Sequence, residues 1–324
     1  MADNPQNTAV SRSKLDRRAD SWWEMLKMTY ADWSEDKAPR LGAALAYYTV
    51  FSLAPLLVIV LAIAGLLFDA ETVRSQISQQ AGLGEQGEEG LTMLVEGAEK
   101  HDAGLVATIL SVVAILFGAT GVFIQMQDAL NTIWEVEAKP GQGVWGFIKN
   151  RLLSFTMILG IGFLLLVLLV VSAALHGVQE YLGHLMPMPN WTAQLLDIVV
   201  SFGGIMLLFA LIFKYLPDVK IGWRDVWLGA AVTALLFTLG KFLLALYLGR
   251  ASAASAYGAA GTLVIIMLWA YYSSQILFFG AEFTQVYAKS YGTRIQPAEH
   301  ARPITAEARA QQGLPSRGKA SPAA

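Results

Sequence analysis

The sequence predicts an all-α integral membrane protein with six transmembrane helices and an N-terminal interfacial amphipathic helix. Three observations carry that expectation. Of the 324 residues, 55% are hydrophobic and only 15% charged, against about 25% charged in an average soluble domain. The apolar residues gather into runs long enough to cross a bilayer. The basic residues fall almost entirely in alternate loops between those runs.

Residues 1–20 are polar, with no apolar core, so a disordered tail is expected there and not a cleaved signal peptide. The first hydrophobic segment would then direct insertion itself. In the stretch that follows, Trp22, Leu26, Tyr30 and Trp33 recur at helical spacing, set apart from Glu24, Lys27, Asp32 and Glu35. This pattern predicts a helix lying in the membrane interface, anchored by tryptophan and ended by Pro39.

A span needs roughly 20 apolar residues to cross a hydrocarbon core of about 30 Å. Leu41 to Phe68, Ala103 to Gln127, Leu152 to Gln179 and Ala251 to Ala281 contain no charge. Two further runs each hold one, Asp197 and Lys241. The membrane domain of residues 21–292 is therefore expected to have spans at about 41–68, 104–127, 152–175, 191–213, 226–249 and 258–284. Residues 293–324, rich in Ala, Pro, Gly, Ser and charge, are expected to form a second disordered tail.

Nineteen of the 23 Lys and Arg residues fall on one side of this arrangement, and only Arg74, Lys100 and Arg250 on the other. Positive charge marks the cytoplasmic side, so both termini are expected in the cytoplasm of a bacterial inner membrane. The external loop from Asp69 to Asp102 carries eight acids without metal-loop spacing, and reads as a solvated face. Small residues at Gly118, Ala119, Gly121, Gly203, Gly204 and from Ala251 to Gly261 are expected to allow close helix contact.

Three stretches carry a resemblance to a known family: LGAALAYYTVFSLAPLL at Leu41–Leu57, GATGVFIQMQDALNTIWEV at Gly118–Val136, and YGAAGTLVIIMLWAYYSSQILFFGAEFTQVYA at Tyr257–Ala288. In these the chain resembles the YihY/BrkB family of bacterial inner-membrane proteins, over roughly residues 24–292. The resemblance implies six spans. It brings labels linked to virulence and serum resistance, an older and misassigned ribonuclease label, and a suggested role in envelope-lipid or solute transport.

Polar residues inside a bilayer usually face a partner or a wet cavity. Gln127, Asp128 and Asn131 share a helical face, as do Tyr271, Gln275 and Glu282, while Tyr47, Tyr48 and Ser52 precede Pro55. Pro55 removes a backbone hydrogen bond and is a candidate hinge. Arg40, Asp128 and Glu282 should emerge together at the cytoplasmic end. They form either an ion-pair network between spans or a vestibule for an anionic or zwitterionic headgroup. Asp197 and Lys241 lie roughly 9 and 12 Å inside the outer surface, a matched depth that makes them a candidate intramembrane ion pair.

With no cysteine, disulfides, iron–sulfur clusters and thiolate metal sites are excluded. The four histidines are scattered, and neither a nucleotide loop nor a Gly-x-Ser-x-Gly elbow is present. No enzyme activity, metal or cofactor is therefore expected, and nucleic acid is not an expected partner. The pattern suits a transporter-like or lipid-handling protein of the cell envelope with a polar intramembrane cavity. The alternative is a non-catalytic membrane scaffold that docks envelope proteins. Membrane lipids are the expected partners in the first case.

Overall fold

Ser21, extended and just ahead of a helical run, accepts the Glu24 N–H on its hydroxyl at 3.2 Å. This cap starts α1 (Trp22–Glu35) in a computed structural model that describes residues 21–64, 121–139, 160, 190–250, 261–292 and 295–315. Apart from residue 160, the expected span 152–175 lies outside those residues, as do most of 104–127, the loop 69–102 and both chain ends.

Pro39 does not end α1. The helix stops at Glu35, and Lys37 takes a left-handed φ of 51°, a conformation costing roughly 1–2 kcal/mol away from glycine. This two-residue joint starts α2 (Ala38–Ala64), with Pro39 in its first turn, where a missing N–H leaves nothing unsatisfied. α2 stays helical through Pro55, whose side chain is outside the described residues. Helix α3 (residues 121–133) ends at a second left-handed residue, Glu135, with φ 59°. Strand β1 (Val136–Ala138) follows, then α4 (Asn190–Tyr215), β2 (Val219–Lys220), α5 (Trp223–Arg250) and α6 (Gly261–Ser290).

The described residues are mostly helical. Three of their helices have stretches long and apolar enough to cross a membrane: Ile198–Tyr215, Trp223–Leu244 and Leu263–Ser290. α6 is central, packing against α2, α5 and α1. Its Leu277, Phe278 and Ala281 join Phe209 and Phe213 of α4, Val226 and Ala230 of α5 and Leu130 and Ile133 of α3 in one core. Gln285 of α6 donates to the Ile133 carbonyl at 2.6 Å, satisfying one of the carbonyls that a helix C-terminus leaves open.

The segment 295–315 lies where a structureless tail is expected, yet it forms β3 (Gln296–Pro297), β4 (Ala301–Pro303) and α7 (Ala306–Gln311). β3 pairs antiparallel with β2, and β4 with β1. Its composition is that of a loop. Order comes instead from backbone pairing with two other short segments, which composition does not register.

Of the expected small residues, Gly118, Ala119 and 251–260 lie outside the described residues, and Gly121 lies against Tyr48 of α2, where a Cβ would stand 3.4 Å from the ring. A Cβ on Gly203 would meet nothing within 4 Å. The α5–α6 seam instead uses two reciprocal pairs. Thr284 fills the space over Gly229, and Thr233 the space over Gly280. Each threonine hydroxyl also donates to the carbonyl four residues back, Thr233 to Gly229 at 2.7 Å and Thr284 to Gly280 at 2.6 Å. A methyl on Gly229 would lie 1.8 Å from Thr284 Oγ1 and 2.7 Å from its Cβ, so the helices would have to separate. Gly229→Ala and Gly280→Ala should each lower stability by about 1–3 kcal/mol, read as thermal unfolding in detergent. Gly203→Ala should leave the transition unchanged or raise it.

Candidate functional site

Five stretches of chain converge at one end of the helices: the α1–α2 joint, the end of α3 with β1, the α4–α5 loop, the end of α6, and the segment 295–315. All five belong to the side that charge distribution marks as basic. The side chain that organises them is Asp218, in the α4–α5 loop. Its carboxylate accepts Gln127 Nε2 at 3.1 Å and Asn131 Nδ2 at 2.8 Å, and His300 Nε2 lies 2.9 Å from it. Its own N–H donates to Asn131 Oδ1 at 2.8 Å, and its carbonyl accepts the Ala298 N–H at 2.9 Å.

Around this node the C-terminal segment is fastened as a strap. Arg302 donates from Nε to Glu137 Oε1 at 2.8 Å across the β1–β4 pair. Lys220 bonds Glu299 at 3.1 Å, and this hydrogen bond, with the lysine's charge, holds the Glu299 carboxyl below the usual carboxylate range. Arg309 of α7 is buried, its Nη2 3.1 Å from Asp36 Oδ1 and 3.6 Å from Glu35 Oε1. Beyond it, Arg40 Nη2 donates to the Gln312 carbonyl and Lys37 Nζ to the Gly313 carbonyl.

Between α2, α3 and this strap lies a cavity of about 190 Å³ lined by Arg40, Leu41, Gln125, Asp128, Gln312 and Leu314, among others. It pairs a guanidinium with a carboxylate that no ion pair joins among the described residues. Such a space can accept a phosphate at one end and a cation at the other.

The Virulence factor BrkB family matches residues 29–305. The chain belongs to that family. Among BrkB relatives, it is 28% identical over 255 residues to a "UPF0761 membrane protein" of Pseudomonas aeruginosa, covering 76% of this chain and 58% of the relative. It is 28% identical to one of Tolumonas auensis, covering 77% and 80% of the two chains. With one of Actinobacillus pleuropneumoniae it shares 26%, covering 80% and 91%. The chain thus spans little more than half the length of the Pseudomonas relatives. No solved structure matches. The BrkB match ends at residue 305, so α7 and the residues that form one wall of the cavity lie beyond it.

Of the residues singled out in sequence, Arg40 and Asp128 meet at the cavity. Gln127 and Asn131 sit one turn apart on the Asp218 node. Glu282 is fully buried and does not line the cavity. Gln275 lies against α2, its amide filling the space over Gly42, and neither end of that amide has a hydrogen-bond partner among the described residues. Tyr271 is half-buried. Tyr47 is exposed and lies against Phe51 with the rings tilted by 52°, Tyr48 packs on Gly121, and the buried Ser52 donates to the Thr49 carbonyl of its own helix. Lys241 is half-buried on α5. Asp197 lies on α4 with its side chain outside the described residues, so the pair is not drawn.

Asp218, His300, Arg309 and Asp36 were not legible as site residues. Asp218 sits in a short loop whose lysines are explained by topology, and the others fall in a tail and a helix end. Asp218→Ala should cost about 3 kcal/mol, because a hydrogen bond to a charged group contributes roughly 1.5–3 kcal/mol. Thermal unfolding measures that cost. Amide exchange should show 295–304 loosening first.

Proposed function

We propose that this BrkB-family protein crosses the bacterial inner membrane six times with both termini in the cytoplasm. Its role there is to bind the phosphate-bearing headgroup of a membrane lipid, or a solute of like chemistry, in the Arg40–Asp128 cavity. The observation that carries this reading is the cavity itself, in which a fixed cation and a carboxylate stand apart with room between them. A phosphate would sit on Arg40 and an ammonium, where the headgroup has one, on Asp128. The role is non-enzymatic, transporter-like or lipid-handling.

The proposed orientation draws support from exposed aromatic residues at the end that carries the strap. Tyr215, Trp223 and Trp227 flank the α4–α5 loop, Tyr291 follows α6, and Trp22, Trp23 and Tyr30 project from α1. Trp and Tyr concentrate where a membrane meets water. α1 turns Met25, Thr29 and Asp32 towards the protein and packs Trp33 against the core, while Trp22, Trp23 and Tyr30 stay exposed, as on an interfacial helix.

The competing reading, a non-catalytic scaffold that docks envelope proteins, draws on the Asp218 node. There the polar groups of the strap face are satisfied by one another.

Native mass spectrometry of protein extracted gently from its own membrane separates the two. The wild type should retain a defined phospholipid that folded Arg40→Gln and Asp128→Ala variants lose. Heterogeneous lipid, equal in all three, would leave the scaffold. Because the chain has no cysteine, single substitutions report topology cleanly. Glu299→Cys should react with an impermeant maleimide only from the cytoplasm, and Glu89→Cys only from outside.

A further inference from the structure

The two cations at the α1–α2 joint are occupied by the protein's own backbone. Arg40 Nη2 holds the Gln312 carbonyl and Lys37 Nζ the Gly313 carbonyl. Both side chains converge on one residue: a Cβ built on Gly313 would lie 3.4 Å from Arg40 Nη1 and 3.8 Å from Lys37 Nζ. Gly313 has a φ of 69°, a left-handed turn that glycine takes without steric cost. This turn presents two successive carbonyl oxygens to two positive charges, much as a phosphate would present two of its oxygens.

The same stretch forms one wall of the cavity. Gln312 and Leu314 are part of its wall, and Leu314 is buried. What holds the turn in place is local. Gln312 N–H returns to the Ala308 carbonyl at 3.1 Å and Leu314 N–H to the Arg309 carbonyl at 2.9 Å. Arg309, clasped by Asp36 and Glu35, anchors α7 by charge. Its Nη1 is buried without a hydrogen bond among the described residues, so the clasp does not satisfy the whole guanidinium there, and an incompletely satisfied buried charge is costly.

We propose that residues 305–315 are a displaceable stand-in for an anionic ligand: the Gln312 and Gly313 carbonyls occupy the Arg40–Lys37 site that a phosphate group takes when it enters the cavity. This rests on the headgroup reading above and adds a second cation, Lys37, and an autoinhibitory segment to it. Ligand and strap compete for the same donors. By linkage, binding of one must loosen the other, and the strap lowers apparent affinity by the fraction of molecules it closes.

Full-length protein in detergent tests this with three probes: glycerol 3-phosphate, short-chain phosphatidylglycerol and short-chain phosphatidylethanolamine. Amide hydrogen exchange of residues 305–315 should rise in the wild type when a probe binds. A chain ended at Pro303, and the full-length Asp36→Asn variant that weakens the clasp, should bind that probe about tenfold more tightly, since a charge-assisted hydrogen bond is no longer displaced. Lys37→Gln in the shortened chain should remove most of this gain. Response to glycerol 3-phosphate as well as to the lipids assigns a free phosphate ester as sufficient; response to lipids alone assigns a membrane headgroup. Binding with unchanged exchange and equal affinity in all forms overturns the strap's role and leaves the headgroup cavity standing. Failure of every probe to bind either the wild type or the shortened chain overturns both. Should the variants not fold, wild-type exchange alone decides the matter.

Discussion

Asp218 is shared by three parts of the chain that are far apart in sequence: the end of α3, the α4–α5 loop and the C-terminal strap. A carboxylate needs several donors to compensate for leaving water, and here Gln127, Asn131 and His300 each supply one, while the loop's own backbone closes the ring through Asn131. Once that node is fixed, β2 lies beside β3 and β1 beside β4, and α7 is carried to the α1–α2 joint. The cavity is a consequence of this placement, since two of its wall residues belong to the strap and the others to helices that the strap ties together.

The helical architecture was legible because a bilayer imposes it. Backbone groups in hydrocarbon must be satisfied within the helix, so composition over about twenty residues is a sufficient signal, and α4, α5 and α6 fall within a few residues of the expected runs. Charge asymmetry put in one group the α1–α2 joint, the end of α3, the α4–α5 loop and the segment after α6, which the described residues bring together. Arg40 and Asp128 could be grouped for that reason: each was expected at the basic end of a span. Their neighbours on the helices were harder to place. Gln127 and Asn131 share a face with Asp128 only loosely, and a rotation of one position decides whether a side chain meets the cavity or the node.

The strap was not legible, and the reason is physical. Two- and three-residue strands have no periodicity to read, and α7 is only six residues long, well below the length at which a helix stands alone in water. Such elements exist only against their partners. The α5–α6 glycines were missed for a related reason. Glycine density suggests close approach, but what matters is a threonine on the facing helix at the matching height, and that is a property of two helices together.

The strap's partners lie at residues 35–40, 135–139 and 218–220, all of which are synthesised before residues 295–315. A chain made from its N-terminus therefore cannot fasten this segment until every helix it reaches has been threaded with its basic end on the same side. A helix inserted the wrong way round that carried Glu137 or Asp218 to the far side of the membrane would leave Arg302 or His300 without its counterpart. Closure of the last few dozen residues thus records that the whole membrane domain was assembled in register. A misinserted molecule would keep this segment loose and open to proteolysis, which sets it apart from a correctly assembled one.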